Sequence, residues 1–124
     1  MPKFLKKNQT SKLNFTFSLK FFLCGSILCR LAYESDYNKL QAWLQAGIDL
    51  LTPDYDGRTA LHIACAEGNT EIVAFITGQG CKSRVVDRFG RSPWDEANAL
   101  EDSDKKQEIL EFLSWAEQNE NRKI

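Results

Sequence analysis

A period of 33 residues constrains this chain more than any other feature. Displacing the sequence by 33 positions pairs Asp54 with Asp87, Gly57 with Gly90, Arg58 with Arg91, Thr59 with Ser92 and Ala64 with Ala97. The reverse displacement pairs Glu67 with Glu34, Gly80 with Gly47, Val73 with Leu40 and Ile76 with Trp43. A unit recurring at that length cannot bury its own apolar face and must stack on copies of itself. The 124 residues hold enough chain for a short stack with a modest core, but not for a catalytic domain beside it.

The clearest unit, Asp54 to Gly80, reads as a turn, a short helix, a second turn and a longer helix. Gly57 lies in a polar turn where the backbone needs positive φ or a tight reversal. Thr59 is placed to cap the first helix with its hydroxyl. Leu61, Ala64 and Cys65 share one helical face, and two of them are small, so another helix can approach closely. Gly68-Asn69 ends that helix, and Thr70 is the expected cap of the next. Ile72, Val73, Phe75 and Ile76 form the apolar stripe of the second helix, and Thr77-Gly78 predicts that it frays early.

The run Asp54-Tyr55-Asp56-Gly57-Arg58-Thr59-Ala60-Leu61-His62-Ile63-Ala64-Cys65-Ala66-Glu67-Gly68 resembles an ankyrin repeat. The resemblance implies an all-α ankyrin-repeat solenoid of about three helix–turn–helix units over 26–53, 54–86 and 87–116, after a leader over 1–25 and before a polar, fraying tail over 117–124. Unit one has its second helix at Tyr37–Ala46 and its closing Gly47, but carries Cys29-Arg30-Leu31-Ala32 where the family has His-x-Ala-Ala. Unit three keeps Asp87-Arg88-Phe89-Gly90-Arg91-Ser92-Pro93-Trp94, then requires four extra residues around Leu100–Lys105 before Ile109, Leu110, Phe112 and Leu113 regain register. From about Ile27 to Leu113 the wording is most similar to the C-terminal ankyrin segment of the lysophospholipase-related animal cytosolic L-asparaginases. Related wording occurs in kidney-type glutaminases and plant potassium channels. In the asparaginase family a separate, larger N-terminal domain with a threonine nucleophile performs the hydrolysis, and its Thr-Gly-Gly-Thr and His-Gly-Thr-Asp motifs are absent here.

Charge is distributed unevenly. Lys3, Lys6, Lys7, Lys12, Lys20 and Arg30 precede Leu31 with no acid among them, leaving ten basic against seventeen acidic residues after it. The repeat segment is therefore acidic and a poor binder of nucleic acid. The leader holds five of the eight phenylalanines, and Leu13–Phe21 alternates apolar and polar as a strand does. It reads as an atypical, weakly structured leader, with a signal or transit peptide as the alternative and Asn8 and Asn14 in glycosylation sequons. Its apolar run, interrupted by Lys20, is too short and polar to span a membrane, so no membrane is expected unless the leader is a targeting signal. Cys29, Cys65 and Cys81 fall at small, buried repeat positions, which favours reduced thiols and a cytoplasmic location.

No catalytic, metal-binding or cofactor-binding residue is expected. His62 and Cys65 have a metal-compatible spacing but no second ligand pair, and the ankyrin resemblance implies that this histidine ties turn to helix. Asp54-Tyr55-Asp56-Gly57 opens like a calcium loop, yet Cys65 stands where the bidentate glutamate belongs. Glu101, Asp102 and Asp104 read as a solvated loop, and Ser103-Asp104-Lys105-Lys106 lacks the partners of its motif. What remains is surface for an unidentified protein partner: Tyr55, Asp56, Arg58, Ala66 and Glu67 in unit two, and Arg88, Phe89, Arg91, Ala99 and Leu100 in unit three. Aromatic and arginine residues on adjacent tips suit an interface core. The expected function is a non-catalytic protein-interaction module, with a fragment or short isoform of an asparaginase-like enzyme as the alternative.

Overall fold

The computed structural model describes residues 24–122, with side chains through residue 119. The strand, targeting and glycosylation readings of the leader lie outside the described residues. Among those described, six helices follow one another and no strand occurs: α1 over 24–33, α2 at Tyr37–Gln45, α3 at Ala60–Glu67, α4 at Thr70–Gly78, α5 at Pro93–Asn98 and α6 at Ser103–Arg122. Helix α3 packs on α5 and α4 on α6, while α3–α4 and α5–α6 close each unit. The result is the all-α, two-layered stack that the period requires. Leu28, Leu40, Leu61, Ile72, Ile76, Ile109 and Leu113 are fully buried in one continuous core. Each such side chain contributes about 2 kcal/mol by removal from water. Ala64 and Ala97, equivalent and fully buried, let α3 and α5 approach closely.

The helix starts display the period most cleanly. Asp36, Asn69 and Asp102 cap α2, α4 and α6, their side-chain oxygens each accepting an amide N–H, from Lys39, Ile72 and Lys105, at 3.2 Å. Thr70 is therefore the first helical residue and Asn69 the cap, a correction to the sequence reading. The four-residue insertion also disappears, because Asp102 follows Asn69 at the regular interval. The change in unit three lies in α5, which stops at Asn98. Glu101 stands where unit two has Gly68, whose φ of +70 closes α3 in the left-handed region. A Cβ disfavours that conformation. Ser35, in the corresponding place of unit one, does adopt φ +60, alone among the described non-glycine residues.

Helix α4 does not fray early. Thr77 is buried, and its hydroxyl donates to the carbonyls of Val73 (2.8 Å) and Ala74 (3.2 Å), so the helix continues to Gly78. The polar run after Ala116 likewise continues α6 through Arg122 instead of fraying from 117. Arg84 holds Glu117 at 2.8 Å, and Asn119 Nδ2 donates to the Trp115 carbonyl at 2.8 Å. At the other end, Cys24 and Gly25 belong to α1. A Cβ on Gly25 would stand 2.0 Å from the Pro53 carbonyl oxygen.

Candidate protein-docking surface

Two identical turns project from the stack. In the first, Asp54 Oδ1 accepts the amides of Asp56 (2.9 Å) and Arg58 (3.0 Å), and the Asp54 amide donates to the Arg58 carbonyl (2.9 Å). In the second, Asp87 Oδ1 accepts the amides of Phe89 and Arg91, both at 2.9 Å, and the Asp87 amide donates to the Arg91 carbonyl (2.8 Å). Gly57 and Gly90 complete the reversals at φ +76 and +79. The turns are stitched side by side, since the Arg88 amide donates to the Asp56 carbonyl at 2.7 Å and the Arg88 guanidinium lies 3.4 Å from the Asp56 carboxylate. Burial alone would raise the Asp87 pKa, but the Arg91 and Phe89 amides, with the charges of His62 and Arg58, hold it below its ordinary value.

Behind the tips, His62 joins unit two to unit three. Its Nδ1 accepts the Thr59 amide at 3.1 Å, and its Nε2–H donates to the Arg91 carbonyl at 3.0 Å, which places the proton on Nε2. The His62 amide in turn donates to the Thr59 hydroxyl, closing a capping box. Burial is the main cause holding the His62 pKa below its ordinary value; the Arg58 charge adds, and the Arg91 carbonyl, Asp87 and Glu96 oppose. Ser92 and Asp95 repeat the box in unit three, where Asp95 Oδ2 accepts the Ser92 amide at 2.8 Å. In unit one the equivalent of His62 is Cys29, whose thiol donates to the Arg58 carbonyl at 3.4 Å. The thiol pKa is pushed up to about 12 by burial and by Asp54. Cys65 is also raised by burial, and no disulfide joins the cysteines among the described residues. Sequence reasoning had no signal for Cys29 as a junction residue beyond its place in the register.

The structure divides the ten residues singled out in the sequence. Tyr55 and Phe89 are 75% and 62% exposed, and the Arg88 guanidinium lies over the Phe89 ring at 5.1 Å. Asp56 orders Arg88. Arg58 turns inward, 3.4 Å from Asp87 and 3.7 Å from Glu96, and Arg91 meets the same Glu96 at 2.7 Å. Arg58 therefore ties unit two to unit three, a role that depends on distances no sequence pattern encodes, while the Arg91 side chain pairs within unit three. Glu67 and Ala99 are exposed, Ala66 is half-buried, and Leu100 packs beside Gly68. Asp102 is a helix cap, while Glu101 and Asp104 are exposed. Among the described residues no group of three metal-ligating side chains occurs, and no helix is long and apolar enough to cross a membrane.

Residues 28–76 match the family model described as ankyrin repeats. The units within this match are ankyrin repeats. The ankyrin segment is 58% identical over 52 residues to a human 60 kDa lysophospholipase, covering 42% of this chain and 9% of that protein. It is 43% identical over 68 residues to a mouse mitochondrial glutaminase liver isoform, covering 53% and 11%. It is 36% identical over 76 residues to an L-asparaginase of Dirofilaria immitis, covering 61% and 13%. The chain thus spans about a tenth of the length of these relatives.

Proposed function

We propose that the paired turn tips and the exposed faces of α3 and α5 dock a protein partner without catalysing a reaction. Ankyrin repeats make the chain a protein-interaction module. The observation that carries the assignment of the surface is the pair of exposed aromatics, Tyr55 and Phe89, on turns locked together through Asp56 and Arg88. A rigid aromatic pair offers contact area at little entropic cost, which is what interface centres require. Arg88, Glu67, Ala66 and Ala99 supply the surrounding contacts; Asp56, Arg58, Arg91 and Leu100 hold the platform. The buried thiols of Cys29 and Cys65 support a reducing, cytoplasmic setting. The test is partner capture with the wild-type chain against Tyr55→Ala/Phe89→Ala, whose fold is checked by circular dichroism. Loss of the captured protein with the helical signal intact supports the surface, and undiminished capture removes it.

The similarity to the lysophospholipase and the L-asparaginase favours a second reading, in which this chain is the accessory ankyrin segment of an asparaginase-like enzyme. Its check is the size of the endogenous protein carrying the Asp54–Gly80 unit. A species near 14.2 kDa sinks this reading, and one several times larger supports it.

A further inference from the structure

A groove of about 490 Å³ opens where units one and two meet, lined by Tyr33, Tyr37, Glu67, Asn69, Glu71 and Lys105 among others. Tyr33, the last described residue of α1, is 64% exposed, and the half-buried Tyr37 rests edge-on against Phe75 with ring centroids 4.8 Å apart. Glu67 and Glu71 are both exposed, and neither makes an ion pair among the described residues. Glu34, by contrast, is paired with Arg30.

The position of Glu67 is electrostatically unfavourable. It is the final residue of α3, where the helix dipole is negative, and the last turn of α3 contains no basic residue. Helix α1 ends at the same groove. Two helix C-termini and two carboxylates thus face one opening, beside the starts of α2 and α4. Glu71 lies in the first turn of α4, where its charge suits the positive end of that helix. Lys105 lays its stem over Gly68, and its ammonium makes no ion pair among the described residues. The three charges sum to a single negative one.

We propose that this groove takes one cationic side chain, an arginine or lysine, from an extended segment of the protein partner. The cation lies against the Tyr33 ring and pairs with Glu67 and Glu71, relieving the charge at the end of α3. The proposal deepens the docking surface above and rests on it, because Glu67 belongs to both.

The experiment is an amide NMR titration of the full chain with a blocked pentapeptide, Ser-Gly-Arg-Gly-Ser, and with its glutamate counterpart. The arginine peptide is expected to shift the amides of Tyr33, Glu67, Gly68, Asn69 and Glu71 saturably, and the glutamate peptide to leave them in place. Glu67→Gln/Glu71→Gln, both exposed, should weaken the arginine peptide about fivefold, the combined worth of two exposed charge pairs. Shifts scattered over the surface, equal shifts from both peptides, or an unchanged affinity in the double variant would overturn the proposal. Shifts at these amides that depend on protein concentration without peptide would overturn it too, assigning the groove to a second copy. Capture lost in Tyr55→Ala/Phe89→Ala while the peptide ignores the groove removes only this inference. A peptide that fills the groove while the tips prove dispensable removes only the tip surface.

Discussion

The two junctions of the stack use the same register positions with different chemistry. Between units two and three, His62 donates to the Arg91 carbonyl at 3.0 Å, and Arg58 reaches Asp87 and Glu96 across the boundary. Between units one and two, the Cys29 thiol donates to the Arg58 carbonyl at 3.4 Å, and Asn69 Nδ2 donates to the Ser35 hydroxyl at the surface. An imidazole whose two nitrogens are both engaged holds a helix start and a neighbouring turn together, whereas a thiol is a weak donor. The second junction is therefore a buried polar staple, and the first is held by a weak thiol donor and a solvent-exposed amide–hydroxyl bond. The pair of turns bearing Tyr55 and Phe89 straddles the stapled junction, which keeps the proposed docking tips at a fixed spacing.

The most disruptive way to break this contrast is Gly25→Ala. Its Cβ meets backbone that has no rotamer to yield, so the cost is about 3 kcal/mol or more, read from the urea midpoint. The loss should be confined to unit one in hydrogen exchange. His62→Ala comes next, at about 3 kcal/mol, since it strands the buried Thr59 amide and removes the bond that joins α3 to the Arg91 carbonyl. The same group predicts a pH dependence. Its folded pKa lies below the ordinary 6.5, so the stability it contributes is complete above pH 6.5 and is lost as pH falls through the lowered value. Denaturation midpoints should fall over that range in the wild type, with this component missing in His62→Ala. A second decline, below 3.8, belongs to Asp87 and Asp95, which are also held low. Cys29→Ala should cost only about 1 kcal/mol, and a value equal to that of His62→Ala would erase the distinction between the junctions. Tyr55→Ala/Phe89→Ala should change stability by no more than about 0.5 kcal/mol while abolishing capture of the partner.

What was legible in the sequence was local. Asp54, Gly57 and Thr59, repeated at Asp87, Gly90 and Ser92, encode turn and cap within a few residues, and the structure forms both units as read. Leu61, Ala64 and Cys65 share a helical face, and all three are fully buried. Errors arose where a local signal competed with a distant one. The apolar run from Ile109 suggested an insertion, yet the cap at Asp102 shows that the backbone kept its period and that the longer α6 buries Ile109, Leu113 and Ala116 instead. Thr77 looked like a helix breaker because its burial, which makes its hydroxyl turn back on the Val73 carbonyl, comes from packing. Arg58 read as a surface residue because its partners, Asp87 and Glu96, become neighbours only after the units stack.

Native-state hydrogen exchange across the described residues tests the central contrast most directly. The account predicts that the buried segments of α3, α4 and α6 and the Asp87 and Arg91 amides exchange only through global unfolding, while α1 opens earlier through a separate, less costly step. Uniform protection from α1 to α6, or unit three opening before unit one, would contradict it.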